Sequence, residues 1–140
     1  MKKYIFPTIA GYLAAASFAG LILVPLYFNP STAALHEIAP ESYYAEPVLW
    51  AGFLAGFLQT FLTVILYINM GYRTVLQGAL NGVWLGALLG GIQSLNEASQ
   101  YVAFNANGQA FTNILVFSAI TSISGAAIAW TLNWLDKKEA

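Results

Sequence analysis

Four long apolar stretches, separated by short polar segments, set the organisation of the chain. They cover about residues 4–28, 47–70, 74–96 and 111–135, and no Asp, Glu, Lys, Arg or His lies in the middle of any of them. A helix of about 20 residues crosses a hydrocarbon core of about 30 Å, so each stretch is long enough to span a membrane with some tilt. The first stretch is also longer than the apolar core of a signal peptide, and we expect it to be retained as a span. The pattern predicts an all-α, integral membrane four-helix bundle that forms one transmembrane domain over residues 1–140.

Residues that end or begin helices separate these spans from two longer loops. Asn29 and Pro30 predict the end of the first helix, because proline cannot continue a regular helix. Pro47 suits the first turn of the second helix, where its missing N–H costs nothing. The longer loops then cover residues 29–46 and 97–110, and we expect a short helix within the first of them. Only these two loops have room for structure outside the bilayer.

The basic residues predict the orientation in the membrane. They lie in three places, at Lys2 and Lys3, at Arg73, and at Lys137 and Lys138. With four spans, all three places fall on one side of the bilayer, and basic residues beside spans are held on the cytoplasmic side. The other side then carries Glu37, Glu41, Glu46 and Glu97. We therefore predict cytoplasmic N and C termini, two longer outer loops and, for a bacterial source, a multi-pass protein of the cytoplasmic (inner) membrane.

Composition narrows the possible functions. Of the 140 residues, 59% are hydrophobic and 8% are charged, whereas soluble domains carry about 25% charged residues. The formal net charge of −1 offers no basic surface for phosphates, so we expect no nucleic-acid partner. The chain has no Cys, which excludes disulfides and thiolate chemistry. We expect no cofactor and no metal; the expected partners are the lipid bilayer and either further copies of the chain or other membrane subunits.

Small residues recur along one face of every span. The third span has Gly78, Gly82, Gly86 and Gly90 at a strict spacing of four, a repeat of the glycine-zipper type that forms a smooth groove on a helix. The other spans carry shorter sets: Gly11, Ala15 and Ala19; Gly52 and Gly56; and Ser118, Ser122, Gly125 and Ala129. These faces predict close helix packing, either inside the bundle or between subunits. The alternative is a glycine-lined pore in a homo-oligomer.

Uncharged polar residues share these small faces. Gln59 and Thr63 lie on the same side of the second span as its glycines. A predicted cluster near the outer surface combines four residues of the third and fourth spans: Gln93, Asn96, Glu97 and Asn113. We expect these groups to form hydrogen bonds between helices, worth about 0.6 kcal/mol each in membrane proteins. The alternative is that they line a ligand site.

Catalytic chemistry has little support in the sequence. The lack of charge inside the spans argues against proton relays, voltage sensing and ion-coupled transport. His36 and Glu37 in the first outer loop are the candidates for a metal or acid–base site. Adjacent residues do not share a helix face, however, so we favour a solvated loop or a docking surface there.

The end of the first span carries a resemblance. The segment Gly20-Leu-Ile-Leu-Val-Pro25-Leu-Tyr-Phe28 places a proline near the outer boundary, followed by an aromatic pair. Together with the glycine-rich third span and the longer outer loops, it resembles small four-span bacterial membrane proteins of unknown function. Leu23 and Val24 stand where such proteins often have a second aromatic pair. The resemblance implies an inner-membrane protein and transfers no site.

Three functional hypotheses follow. The first is a self-associating module or an accessory subunit of a membrane complex, without catalysis. The second is a channel or carrier for a small neutral solute, with a path lined by Gln59, Thr63, Asn81 and Gln93. The third is an outer-face enzyme that processes lipids, with His36, Glu37 and Glu97 as acid–base groups. A void along Gln59 favours transport, and a dry interior favours the first hypothesis.

Overall fold

The fold is built from helices. A computed structural model of the chain describes residues 1–42, 49–100 and 108–139, and the regular secondary structure in these ranges is helical throughout. Four of the helical segments are long and apolar enough to cross a membrane. The all-α class and the four candidate spans predicted from the sequence are therefore confirmed.

The first helical segment is longer than the sequence predicts. Helix α1 covers Lys2–Phe18, a π-helical segment, π1, covers Ala19–Phe28, and α2 covers Asn29–Ile38 without a break. The predicted end of the helix at Phe28 is wrong, because the helix continues through Asn29 and Pro30 into α2. The short helix expected in the first loop is α2, and it is continuous with the span.

Pro25 lies inside π1. Its ring removes the N–H that would bond the Leu21 carbonyl in an α-helix and crowds the preceding turn. The wider π-helix carries the chain past this point. The whole segment of 37 residues is about 55 Å long at an α-helical rise. Since that exceeds a hydrocarbon core of about 30 Å, α2 extends beyond the part of the bundle that a membrane would cover.

Three further helices complete the bundle. They are α3 at Leu49–Met70, α4 at Val75–Gln100 and α5 at Gln109–Glu139. Gly71 joins α3 to α4 with a φ of 71°, which other residues rarely adopt, and so permits a short turn. The predicted helix start at Pro47 and most of the second outer loop lie outside the described residues.

Helix α5 lies at the centre of the packing. Helix α4 runs along one side of it, α1 packs on another, and α3 contacts both α1 and α5. The most deeply buried apolar side chains are Val64 and Tyr67 of α3 with Ile128, Ala129 and Leu132 of α5. This core lies towards the end of the bundle that carries Lys3 and Arg73, which we call the basic end; the opposite end is called the far end.

Candidate functional site

The glycine row of α4 is buried against α5 of the same chain. A Cβ atom added to Gly78 would lie 2.7 Å from Ala129 Cβ, and one added to Gly82 would lie 2.7 Å from Ser122 Cα. Gly86 and Gly90 approach α5 equally closely, and all four glycines are buried. The row therefore packs inside the bundle, and no space remains along it for a glycine-lined pore.

A cavity of about 590 Å³ lies on the other side of α5, between α1/π1 and α3. We call it the cleft. Its walls are mostly small or apolar residues: Tyr12, Ala15, Ala16, Ala19, Gly20, Val24, Phe28, Leu49, Gly52, Phe53, Gly56 and Ile120. A Cβ atom added to Gly20 or Gly52 would meet nothing within 4 Å, whereas one at Gly56 would lie 3.4 Å from Tyr12. Gly52 therefore keeps space open, and the packing role predicted for it is not seen within one chain.

The floor of the cleft is polar and uncharged. It is formed by five side chains from α3 and α5: Gln59, Thr60, Thr63, Thr121 and Ser124. The three threonines donate their hydroxyl protons to carbonyl oxygens of their own helices. Gln59 lies near the middle of α3, so the floor is at about half the depth of the bundle.

The cleft is closed towards the basic end and open at its sides. Val64 and Tyr67, directly below the floor along α3, are buried in the core. At the far end, Leu49 and Phe53 are 65% and 59% exposed and form the rim. The cleft is therefore accessible from its sides and from this rim.

The predicted polar cluster near the far end is divided into two groups. On α4, Gln93 donates to Glu97 Oε1 at 3.1 Å and Gln100 donates to Asn96 Oδ1 at 3.2 Å; each pair is four residues apart on an exposed face. Asn113 of α5 instead accepts a hydrogen bond from the Tyr27 hydroxyl of π1.

The group around Asn113 links π1 to the start of α5. Gln109 donates to Tyr27 Oη at 2.9 Å and reaches Asn113 Oδ1 at 3.4 Å. Sequence reasoning missed this contact, although a tyrosine at a span end and an amide at the start of the fourth span were both visible. The contact holds π1 against α5 beside the far end of the cleft.

Two residues of the predicted transport path do not line the cleft. Asn81 donates to the Gln77 carbonyl of its own helix at 2.9 Å, and Gln93 is exposed on α4. Gln59 and Thr63 do line the cleft. The structure therefore brings together half of the predicted path and adds Thr60, Thr121 and Ser124 to it.

The acid–base candidates do not form a described centre. His36 is partly exposed and Glu37 exposed on α2, and Glu97 accepts its hydrogen bond from Gln93. Among residues 1–42, 49–100 and 108–139, no group of three or more His, Cys, Asp or Glu side chains is placed to hold a metal ion. These positions therefore give the enzyme hypothesis no geometric support.

One acidic residue joins three segments at the basic end. Asp136 Oδ1 lies 2.9 Å from Lys3 Nζ, and its Oδ2 lies 2.6 Å from Arg73 Nε. Arg73 also donates to the carbonyl oxygens of Tyr67 and Tyr72. Sequence reasoning used these charges for orientation alone and missed the contact. Because Asp136 is about one third exposed, each ion pair contributes about 1 kcal/mol or less.

Comparison with protein-family models, curated proteins and solved structures finds no match to the chain. The function is therefore argued from the geometry of the cleft.

Proposed function

We propose that this is a non-catalytic, multi-pass membrane protein that binds an uncharged, membrane-soluble ligand in the cleft. The observation that carries the proposal is a cavity of about 590 Å³ with apolar walls and an uncharged polar floor. Ligand sites have volumes of about 300–1,000 Å³ and combine apolar walls with a few polar groups in this way. The proposal keeps the ligand-binding part of the carrier hypothesis. The path along Gln59 and Thr63 is closed towards the basic end by Val64 and Tyr67, so the cleft binds a ligand there without leading across the bundle.

The lining of the cleft suits a small ligand. A few uncharged polar side chains lie at the base of walls that are otherwise apolar, which is the combination found in ligand sites. Voids larger than a water molecule are few in packed proteins, so in a bilayer an open apolar space of this size is filled by a lipid chain or by a ligand.

The self-associating or accessory-subunit role loses one of its supports. The longest small face, the glycine row of α4, is buried against α5. Of the faces that remain, one carries Gly20 and Gly52 beside the cleft, and another carries large apolar residues such as Trp84 and Leu88. Such faces suit lipid equally well.

The orientation proposed for the protein places the basic end in the cytoplasm. The support is the confinement of Lys3, Arg73 and Lys137 to one end of the bundle, together with the preference of basic residues for the cytoplasmic side. The cleft then opens to the outer leaflet. For a bacterial source, the membrane is the inner membrane.

Filling the cleft tests the proposal. In the Gly52→Leu variant the new side chain enters open space in the cleft, so the helix packing is kept while the ligand volume falls. Ala55→Leu is the matched control, because Ala55 is exposed on α3 and does not line the cleft. Native mass spectrometry of the full chain, purified from host membranes in mild detergent, reports both bound lipid and the number of subunits.

We expect the unmodified chain and Ala55→Leu to retain a neutral lipid adduct and Gly52→Leu to lose it, with unchanged helix content in all three. An adduct that is equally abundant in the three proteins, or missing from the unmodified chain, would overturn the proposal. In the same spectra, a monomer without partner subunits would count against self-association.

A further inference from the structure

The hydroxyl of Ser124 differs from most of the buried serine and threonine hydroxyls of the helices. Six of these donate to the carbonyl four residues earlier in their own helix: Thr8, Thr60, Thr63, Ser118, Thr121 and Thr131. Ser124 is only 4% exposed, and its Oγ has no hydrogen-bond partner among the described residues. It lines the cleft at the point where α5 approaches Gly11 of α1.

An unpartnered hydroxyl at this depth has an energetic cost. Leaving a buried polar group without a hydrogen bond costs about 1–3 kcal/mol, and in a bilayer no bulk water is present to replace the partner. Gln59 lines the same cleft and presents its side-chain amide there. The amide is directly available to a molecule that enters the cleft, whereas Ser124 Oγ, which has almost no exposed surface, reaches such a molecule after a change of its side-chain rotamer.

The donors and acceptors of the floor define what that molecule must carry. Thr60, Thr63 and Thr121 have given their protons to backbone carbonyls, so their oxygens can only accept. Gln59 offers two N–H donors and one acceptor, and Ser124 offers a donor and an acceptor. A ligand hydroxyl, which both donates and accepts, matches this mixed set, whereas an ether or a ketone uses only the donors.

Charge excludes other polar lipids from the floor. None of the described residues that line the cleft is Asp, Glu, Lys, Arg or His. A carboxylate, phosphate or ammonium group would therefore be buried without a counter-charge, which is strongly unfavourable in the middle of a membrane. An uncharged head group is required.

Resting on the proposed function, we infer that the cleft selects a neutral lipid alcohol, whose hydroxyl bonds Ser124 and Gln59 at the floor. Its apolar chain lies along Ala16 and Gly20 towards the rim. Ser124 and Gln59 determine specificity in this arrangement, and the apolar walls supply most of the affinity.

Competition binding tests the inference with defined probes. The full chain in mild detergent is loaded with pyrene-labelled decanol, which is then displaced by 1-hexadecanol, by its methyl ether or by hexadecane. We expect the alcohol to bind about tenfold more tightly than the ether, the difference that one satisfied buried hydroxyl produces. In Ser124→Ala the tenfold preference for the alcohol over the ether is lost, while the affinity for hexadecane, which forms no hydrogen bond, is unchanged. Gln59→Leu provides a second variant with the same expected direction.

Ser94→Ala is the matched control. Ser94 is fully buried and its Oγ is also unpartnered, but it lies on α4 and does not line the cleft. We expect it to keep the tenfold preference.

Equal binding of the three probes to the unmodified chain would overturn the inference and leave the proposed function standing, because the cleft would then bind an apolar chain without discriminating between head groups. If none of the probes binds the unmodified chain, both are overturned. A preference for the alcohol that survives in Ser124→Ala and Gln59→Leu would also overturn the inference.

Discussion

The Gly82→Ala substitution tests the close contact between α4 and α5. A Cβ atom at this position would lie 2.7 Å from Ser122 Cα, whereas carbon atoms in contact prefer about 3.5–4.0 Å. The two helices would therefore have to separate by about 1 Å. The atoms in the way belong to the backbone of α5 and cannot move aside by a change of rotamer.

The expected net loss of stability is about 1–2 kcal/mol. Overpacking costs up to about 3 kcal/mol, and alanine recovers about 1 kcal/mol because it is a better helix former than glycine. Gly91→Ala is the matched control on the same helix. A Cβ atom there would lie 3.8 Å from Ile114 Cδ1, an ordinary contact. This variant should therefore be neutral or more stable by up to about 1 kcal/mol.

Reversible unfolding in mixed micelles with an increasing fraction of dodecyl sulfate, followed by far-ultraviolet circular dichroism, measures the difference. The two variants should differ by about 1–3 kcal/mol, with Gly82→Ala the less stable. If Gly82→Ala proves as stable as Gly91→Ala, the helices do not approach each other as described, and the assignment of the glycine row to the bundle interior is wrong.

Two other expectations concern a buried hydrogen bond and the orientation. Tyr67→Phe removes the hydroxyl that donates to the Gly78 carbonyl at 2.7 Å and should lower the free energy of unfolding by about 1 kcal/mol. Tyr12→Phe serves as the control, because the Tyr12 hydroxyl has no hydrogen bond to the described residues. Equal stability of the two variants would contradict the expectation. Because the chain has no Cys, single-cysteine variants report topology cleanly. A membrane-impermeant maleimide should label Glu37→Cys in intact cells and Lys138→Cys only after lysis, and the opposite pattern would reverse the proposed orientation.

The sequence predicts the helices because the signals for them are local. The length and hydropathy of each apolar stretch depend on neighbouring residues alone, and four candidate spans follow from them. The effect of a proline is less local. The helix runs through both Pro25 and Pro30, so it continues beyond the residues that predict its end.

Packing decides which residues reach the site. The spacing of the glycines on α4 predicts a close contact but does not identify α5 as its partner. Once that face is used, Asn81 is directed away from the cleft and bonds its own backbone, while Gln59 and Thr63 of α3 remain on the cleft side. Ser124 could not be singled out from the sequence, because its importance lies in a hydrogen bond that it does not make.

The central position of α5 has a consequence for the biogenesis of the protein. It is the last of the described helices along the chain, yet α1, α3 and α4 all contact it. During synthesis the three earlier helices enter the membrane before the helix on which they pack, so Gly11 and the glycine row of α4 first face lipid. Assembly of the bundle is therefore a late event that follows insertion. A chain that stops before α5 would lack the helix on which α1, α3 and α4 pack.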